Sequence, residues 1–432
     1  MKRFIALLVL ILILSLCTAC EYKNGESLSR DSINTPTQPD ADSSNSQNNQ
    51  NVCIIDKAER TPLKINDERL LFMRALIDGK IIYSGTVNAS DEAGDELFVV
   101  YDLQTKKNEE VGVVKNSHVD SDDTAILGNR YSYFSKGIMA DGNNNILFRL
   151  DIREKILKEI SSEYLYPPFS FFRKIDDSHF LCFGSTLPKG VEEGDNYENY
   201  FRIYSSPDDK IIAERRCLKE ETGIYQTSAV VRGDEIFIYT LQNDSFKQPQ
   251  TRQINLYENE TELYIYVYDM SFNFKRKISL SGLKKHLINE DGEETSVWVM
   301  YCKNDYFVFT IVGGIQERVA MKYDGENFVD AADSPYSSLY YASYNIDTEK
   351  FPYLYLYPSQ ILNVNTGEVK HIQFDIDDKY KYIEEIRLAD SDGNILIEMR
   401  GAAEDDVDNQ LYHDIAYFYI KAEDIIAALN DS

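Results

Sequence analysis

Histidine is the side chain best suited to moving protons near neutral pH or ligating a metal, and the five here are His118, His179, His286, His371 and His413. They are scattered, so no local stretch spells a His-based site. No Gly-x-Ser-x-Gly, no phosphate loop ending in Gly-Lys-Ser/Thr and no His-Glu-x-x-His occurs. Cys53, Cys182, Cys217 and Cys302 do not fall at metal-ligand spacing. Cys182 and Cys302 lie in apolar runs and read as small core residues, while Cys53 and Cys217 are either free or paired. Asp390-Ser391-Asp392-Gly393-Asn394 opens like a calcium loop, but its twelfth position is Gly401 where a bidentate Glu belongs. It reads as a hairpin turn, as does Arg232-Gly233-Asp234. Seven Tyr between Tyr336 and Tyr357 would make a sugar-stacking platform if exposed. Tyr353, Tyr355 and Tyr357 alternate with Leu354 and Leu356, which reads as one buried strand face.

The remaining chemistry is acidic. Carboxylates cluster at Asp91, Glu92 and Asp95, at Glu192, Glu193 and Asp195, and at Glu404, Asp405, Asp406 and Asp408. Such density attracts a basic protein segment or a divalent cation. No prosthetic cofactor is expected.

The elements that position these residues repeat. LFVVYDLQTKKNEEV at 97–111 returns as ILFRLDIREKILKEI at 146–160 and as LYIYVYDMSFNFKRKI at 263–278. Each is an apolar strand, a polar turn and a second strand. The turn opens at Asp102, Asp151, Ser205, Asp269, Asp324 and Asn365, where short polar side chains cap turn backbone. Lys421 holds that place in a seventh copy. A hairpin precedes most phrases, turning at Asp78-Gly79, Gly128-Asn129, Asp176-Asp177, Gly233-Asp234, Asn304-Asp305 and Asp392-Gly393. The sixth copy turns near Thr348. Four strands per period make seven units between about 68 and 428.

Four-stranded antiparallel units at this period resemble the blades of a β-propeller. A blade packs on both neighbours, so its strands are apolar on both faces; ELYIYVYD has Tyr264, Tyr266 and Tyr268 on one side and Leu263, Ile265 and Val267 on the other. The fold expected is all-β, a seven-bladed propeller over residues 53–432. Eight blades counting residues 53–67, or two β-sandwich domains, also accommodate the pattern. Residues 53–57 alternatively close the ring as a strand of the last blade. The connection from second to third strand reads as long in units seven, one, two, three and four, which are consecutive around a ring. The acidic clusters would then crowd one sector of one face, where binding loops usually sit.

Net charge is −27 at pH 7, which repels nucleic acid and anionic lipid. MKRFIALLVLILILSLCTAC pairs a basic start with an apolar run from Phe4 to Leu16, too short for a spanning helix and suited to export. Its end, Cys17-Thr18-Ala19-Cys20, resembles the bacterial lipoprotein box, although Cys17 stands where Leu is usual. The resemblance implies residues 1–19 as a signal peptide, cleavage before Cys20, and a diacylglycerol on the Cys20 sulfur. Two acyl chains hold a protein stably on a membrane. The Ser/Asn/Asp-rich residues up to 52 read as a disordered tether reaching roughly 30 Å. The whole resembles divergent propellers of bacterial envelope lipoproteins, a group with no shared activity. The expected role is an extracytoplasmic, membrane-anchored binding or scaffolding module for protein or glycan. The alternative is a polysaccharide hydrolase or lyase using axial carboxylates.

Overall fold

Alternating aromatic and β-branched residues between short Asp/Gly/Asn turns commit this chain to strands. In the computed structural model the described residues are 52–56, 58–61, 71–87, 94–118, 124–138, 144–160, 164–187, 198–217, 223–243, 261–287, 296–312, 318–376, 382–401 and 414–431. The signal segment, Cys20 and the tether residues up to 51 therefore lie outside them. Two short strands come first, β1 (Val52–Ile55) and β2 (Glu59–Thr61). Blade 1 is β3 (Leu71–Ile77), β4 (Lys80–Val87), β5 (Gly94–Asp102) and β6 (Lys107–His118). Blade 2 is β7 (Thr124–Leu127), β8 (Tyr131–Ile138), β9 (Asn144–Asp151) and β10 (Ile156–Glu159). Blade 3 is β11 (Tyr164–Lys174), β12 (His179–Leu187), β13 (Glu198–Ser205) and β14 (Lys210–Arg216). Blade 4 is β15 (Ile224–Arg232), β16 (Glu235–Gln242), β17 (Glu262–Asp269) and β18 (Phe274–Ser279). Blade 5 is β19 (Ser296–Lys303), β20 (Tyr306–Val312), β21 (Arg318–Tyr323) and β22 (Phe328–Asp330). Blade 6 holds β23 (Tyr353–Leu356), β24 (Gln360–Asn363) and β25 (Val369–Phe374). Blade 7 holds β26 (Tyr382–Ala389), β27 (Ile395–Gly401) and β28 (Asp414–Ile420), followed by a helix at Ala422–Asp431.

The innermost elements touch in sequence, from β3 to β7, β11, β15, β19, the 3-10 turn Tyr341–Asn345, β26 and back to β3. This is a closed seven-bladed propeller, not an eight-bladed ring or a pair of sandwiches. The N-terminal strands close it differently from expectation. β2 pairs antiparallel with β28 and supplies the fourth strand of blade 7. β1 pairs parallel with β25 and becomes an additional outer strand of blade 6. Residues 52–55 thus join the sixth blade, and Glu59–Thr61 completes the last one.

Blade 6 also departs at its inner edge. Its first strand is replaced by the 3-10 turns Pro335–Ser338 and Tyr341–Asn345, with a single bridge between Leu339 and Leu356. Backbone still joins this segment to β23 and the turn after it, through Tyr340 N–H to the Tyr355 carbonyl at 3.0 Å and Tyr357 N–H to the Ser338 carbonyl at 2.6 Å, and the Ser343 hydroxyl adds to it. It accepts the Tyr355 N–H at 3.0 Å and donates to the Tyr355 carbonyl at 2.9 Å.

The apolar layers lie between blades, as strands buried on both faces require. Phe98 packs toward blade 2 beside Phe134, at a ring separation of 4.8 Å, while its neighbour Val99 packs toward blade 7. Ile265 and Val267 face blade 5, and Tyr266 and Tyr268 face blade 3. Among the Tyr-rich residues, Tyr355 is buried and Tyr353 half-buried, but Tyr357 is exposed in the turn beyond the strand. The four described cysteines are free, so Cys53 and Cys217 are not bridged. Gly393 is demanded by close approach. Its φ is +88°, and a Cβ there would lie 2.3 Å from the Phe351 ring. Asp390 accepts the N–H groups of Asp392 and Asn394, both at 3.0 Å, so this stretch is the hairpin turn its Asp392-Gly393 pair suggests.

Candidate functional site

Antiparallel alternation sends every second-to-third-strand connection out of the same face of the ring. On that face, the connections 188–197, 243–261 and 402–413 of blades 3, 4 and 7 are long. Those of blades 1 and 2, 88–93 and 139–143, are close in length to 313–317 of blade 5, because β5, β8 and β9 extend further than the turn residues suggest. The long connections therefore do not form one unbroken sector. In chain order Glu192, Glu193 and Asp195 fall between the second and third strands of blade 3, and Glu404, Asp405, Asp406 and Asp408 between those of blade 7. These seven, with Asp91 and Glu92, lie outside the described residues. Asp95 is described, and it sits in β5 opposite Val87 rather than in a loop.

The inner wall carries a constellation that sequence reasoning missed. Arg173, on the inner strand of blade 3, places its guanidinium 4.6 Å from the ring centre of Tyr301 on the inner strand of blade 5. Those blades are not adjacent, so the pair reaches past blade 4 across the axis. Tyr301 stacks on Tyr344 of blade 6 at 4.0 Å and meets Tyr341 edge-on at 5.6 Å. Arg318 lies over Tyr341 at 4.3 Å. Cations over tyrosine faces hold an aromatic constriction in place. The exposed edge of Tyr341 is left facing solvent.

Charges beside the inner strands are paired. Glu96 of β5 meets Arg74 of β3 at 3.0 Å and Lys136 of β8 at 2.7 Å, and all three are buried. Arg74 also donates to the Ser84 hydroxyl at 3.0 Å. Burial alone would raise the Glu96 pKa, but the charges of Lys136 and Arg74 hold it below its ordinary value. In blade 7, Arg387 contacts Glu398 at 2.8 Å and Glu385 at 2.6 Å. Burial pulls the Lys303 ammonium down to about 8 against the attraction of Asp347, and it donates to the Ile346 carbonyl. The signal for these residues was a lone charge inside an apolar run, as in LLFMRAL, FSFFRK and YSYFSK.

The histidines stay apart. His179 is bonded to Asp176 at 2.9 Å and His286 to Asp330 at 3.0 Å, on different blades. Among the described residues, no group of three or more His, Cys, Asp or Glu is placed to hold a metal. The Arg-Gly-Asp stretch forms the β15–β16 hairpin turn, and its Arg232 pairs with Asp305 of blade 5 at 2.5 Å.

No family model matches the chain, and no curated protein matches it. Solved structures do. Acylaminoacyl peptidase from Pyrococcus horikoshii is 12% identical over 76% of this chain and 49% of that one, with a TM-score of 0.42. This chain thus spans about half the length of that enzyme. The β-propeller domain of the trilobed protease from Pyrococcus furiosus is 10% identical over 82% of this chain and 95% of that one, with a TM-score of 0.45. Oligogalacturonate lyase from Vibrio parahaemolyticus is 11% identical over 81% of this chain and 89% of that one, with a TM-score of 0.40. At such identities the likeness is one of propeller fold, and no activity passes with it.

Proposed function

We propose that this chain is a lipid-anchored, extracytoplasmic envelope protein whose propeller is a non-catalytic binding or scaffolding module for a protein or a glycan. The observation that carries the reading is the state of the carboxylates beside the inner strands. Glu96, Glu385 and Glu398 each face an arginine or lysine. A glycan-cleaving site needs a carboxyl kept protonated as general acid near a second carboxylate. At Glu96 the charges of Lys136 and Arg74 favour the ionised form instead. The exposed edge of Tyr341 and the long connections of blades 3, 4 and 7 supply contact surface on a rigid ring. The anchor rests on the Cys20 box and its apolar leader.

The test is crosslinking in intact cells with wild-type protein and with Cys20→Ala. Wild-type protein is expected in the membrane fraction with a reproducible crosslinked partner or glycan. Cys20→Ala is expected in the soluble fraction. Wild-type protein that is soluble, or that depolymerises an envelope polysaccharide in purified form, overturns the anchor or the non-catalytic role respectively.

A further inference from the structure

Among the described residues, nothing pairs with the outer edge of β1. On its inner side, the Ile55 carbonyl accepts the Asp375 N–H at 2.9 Å. Alternation along the strand then turns the N–H and C=O of Ile54 toward the open edge. Proteins usually blunt such an edge with charge, proline or a cover. Here its side chains are Val52, 40% exposed, and Ile54, 54% exposed. A cleft of about 400 Å³ runs along it, lined on one side by this strand and on the other by Ala427 and Ala428 of the C-terminal helix. The helix is fixed from behind, since Ile425 and Leu429 are buried in the core of blades 6 and 7. Asp56, Asp424 and Asp431 also line the cleft. None of the three has a cation against it among the described residues.

We infer that this cleft takes an extended segment of a partner protein, added as a further strand on β1, with Lys or Arg side chains over the three aspartates. The open backbone groups give the ladder, the alanines leave room for a strand, and the carboxylates select the charge. Residues 21–51 of the chain itself carry more Asp and Glu than Lys and Arg. A second copy would bring the same acidic face. Neither complements the cleft electrostatically.

The probe is a fluorescein-labelled hexapeptide, Lys-Val-Lys-Ile-Lys-Val, titrated with the full chain and read by anisotropy. Its control is Glu-Val-Glu-Ile-Glu-Val. Saturable binding of the basic peptide alone is expected, weakening as salt rises. Asp56→Asn, Asp424→Asn and Asp431→Asn together are expected to weaken it about tenfold or more. Ile54→Pro removes an edge N–H without touching the β25 ladder, and is expected to abolish binding. Ala427→Trp, on the exposed side of the helix, fills the cleft and serves if the proline variant fails to fold. Equal binding of both peptides, or binding unchanged by Ile54→Pro or Ala427→Trp, overturns the inference. So does a wild-type dimer that Ala427→Trp converts to monomer, which would assign the cleft to a second copy.

Discussion

Glu96 draws on two cations from two blades, Arg74 beside it and Lys136 from β8, and all three side chains are buried. Removing one member of such a group leaves charge buried without its balance. Lys136→Met is expected to cost about 3–5 kcal/mol in urea unfolding. Adding Glu96→Gln should recover part of that loss, a coupling that a double-mutant cycle measures. The pH dependence has a defined sign. The folded-state pKa of Glu96 lies below its ordinary value of 4.5, so its contribution is present above that pH and fades as pH falls through the depressed value. In the Lys136→Met protein the acid limb should move to higher pH. A limb that stays in place would mean Lys136 does not set the Glu96 proton affinity. None of this was readable from the sequence, because Lys136 in YSYFSK announces only an unusual charge. Its partner is contributed by another blade, and no local rule names it. Asp390, by contrast, was legible as a turn residue, since its hydrogen bonds run to Asp392 and Asn394 a few positions away.

At the scale of elements, the third strands carried the pattern most clearly. ELYIYVYD declares burial on both sides, and β17 is sandwiched between blades 3 and 5 as that requires. The first strand of blade 6 was not legible, because two 3-10 turns stand in its place and bond β23 through both backbone and the Ser343 hydroxyl. The placement of β1 was also hidden. VCII looks like any short strand, and its parallel pairing with β25 depends on residues more than three hundred positions later. Its two faces make a direct comparison possible. Ile55, 1% exposed, lies in the core of blades 6 and 7. Ile55→Ala should cost about 2–5 kcal/mol. Ile54→Ala, on the exposed face, should stay within about 0.5 kcal/mol. Urea midpoints for the two variants settle it, and equal effects would mean that β1 is not seated on the sixth blade.

For the whole molecule, a net charge of −27 on a closed ring makes self-repulsion a standing cost. Raising salt from about 10 mM to about 100 mM shortens the screening length from about 30 Å to about 10 Å. The thermal midpoint is expected to rise over that range. A midpoint that falls would show that exposed ion pairs, such as Lys350 with Asp392, outweigh the repulsion. The ring itself was foreseeable from seven repeated phrases, but the lengths of the connections in blades 1 and 2 were not, because turn residues mark hairpins and do not mark how far paired strands continue past them. The seam between blades 6 and 7 has a temporal consequence. β1 and β2, near the start of the chain, find their partners only in β25 and β28, near its end. A ribosome delivers these strands in order, so residues 52–61 must idle unpaired while an incomplete arc of wedges accumulates behind them. The final latch snaps shut only once β25 and β28 have emerged.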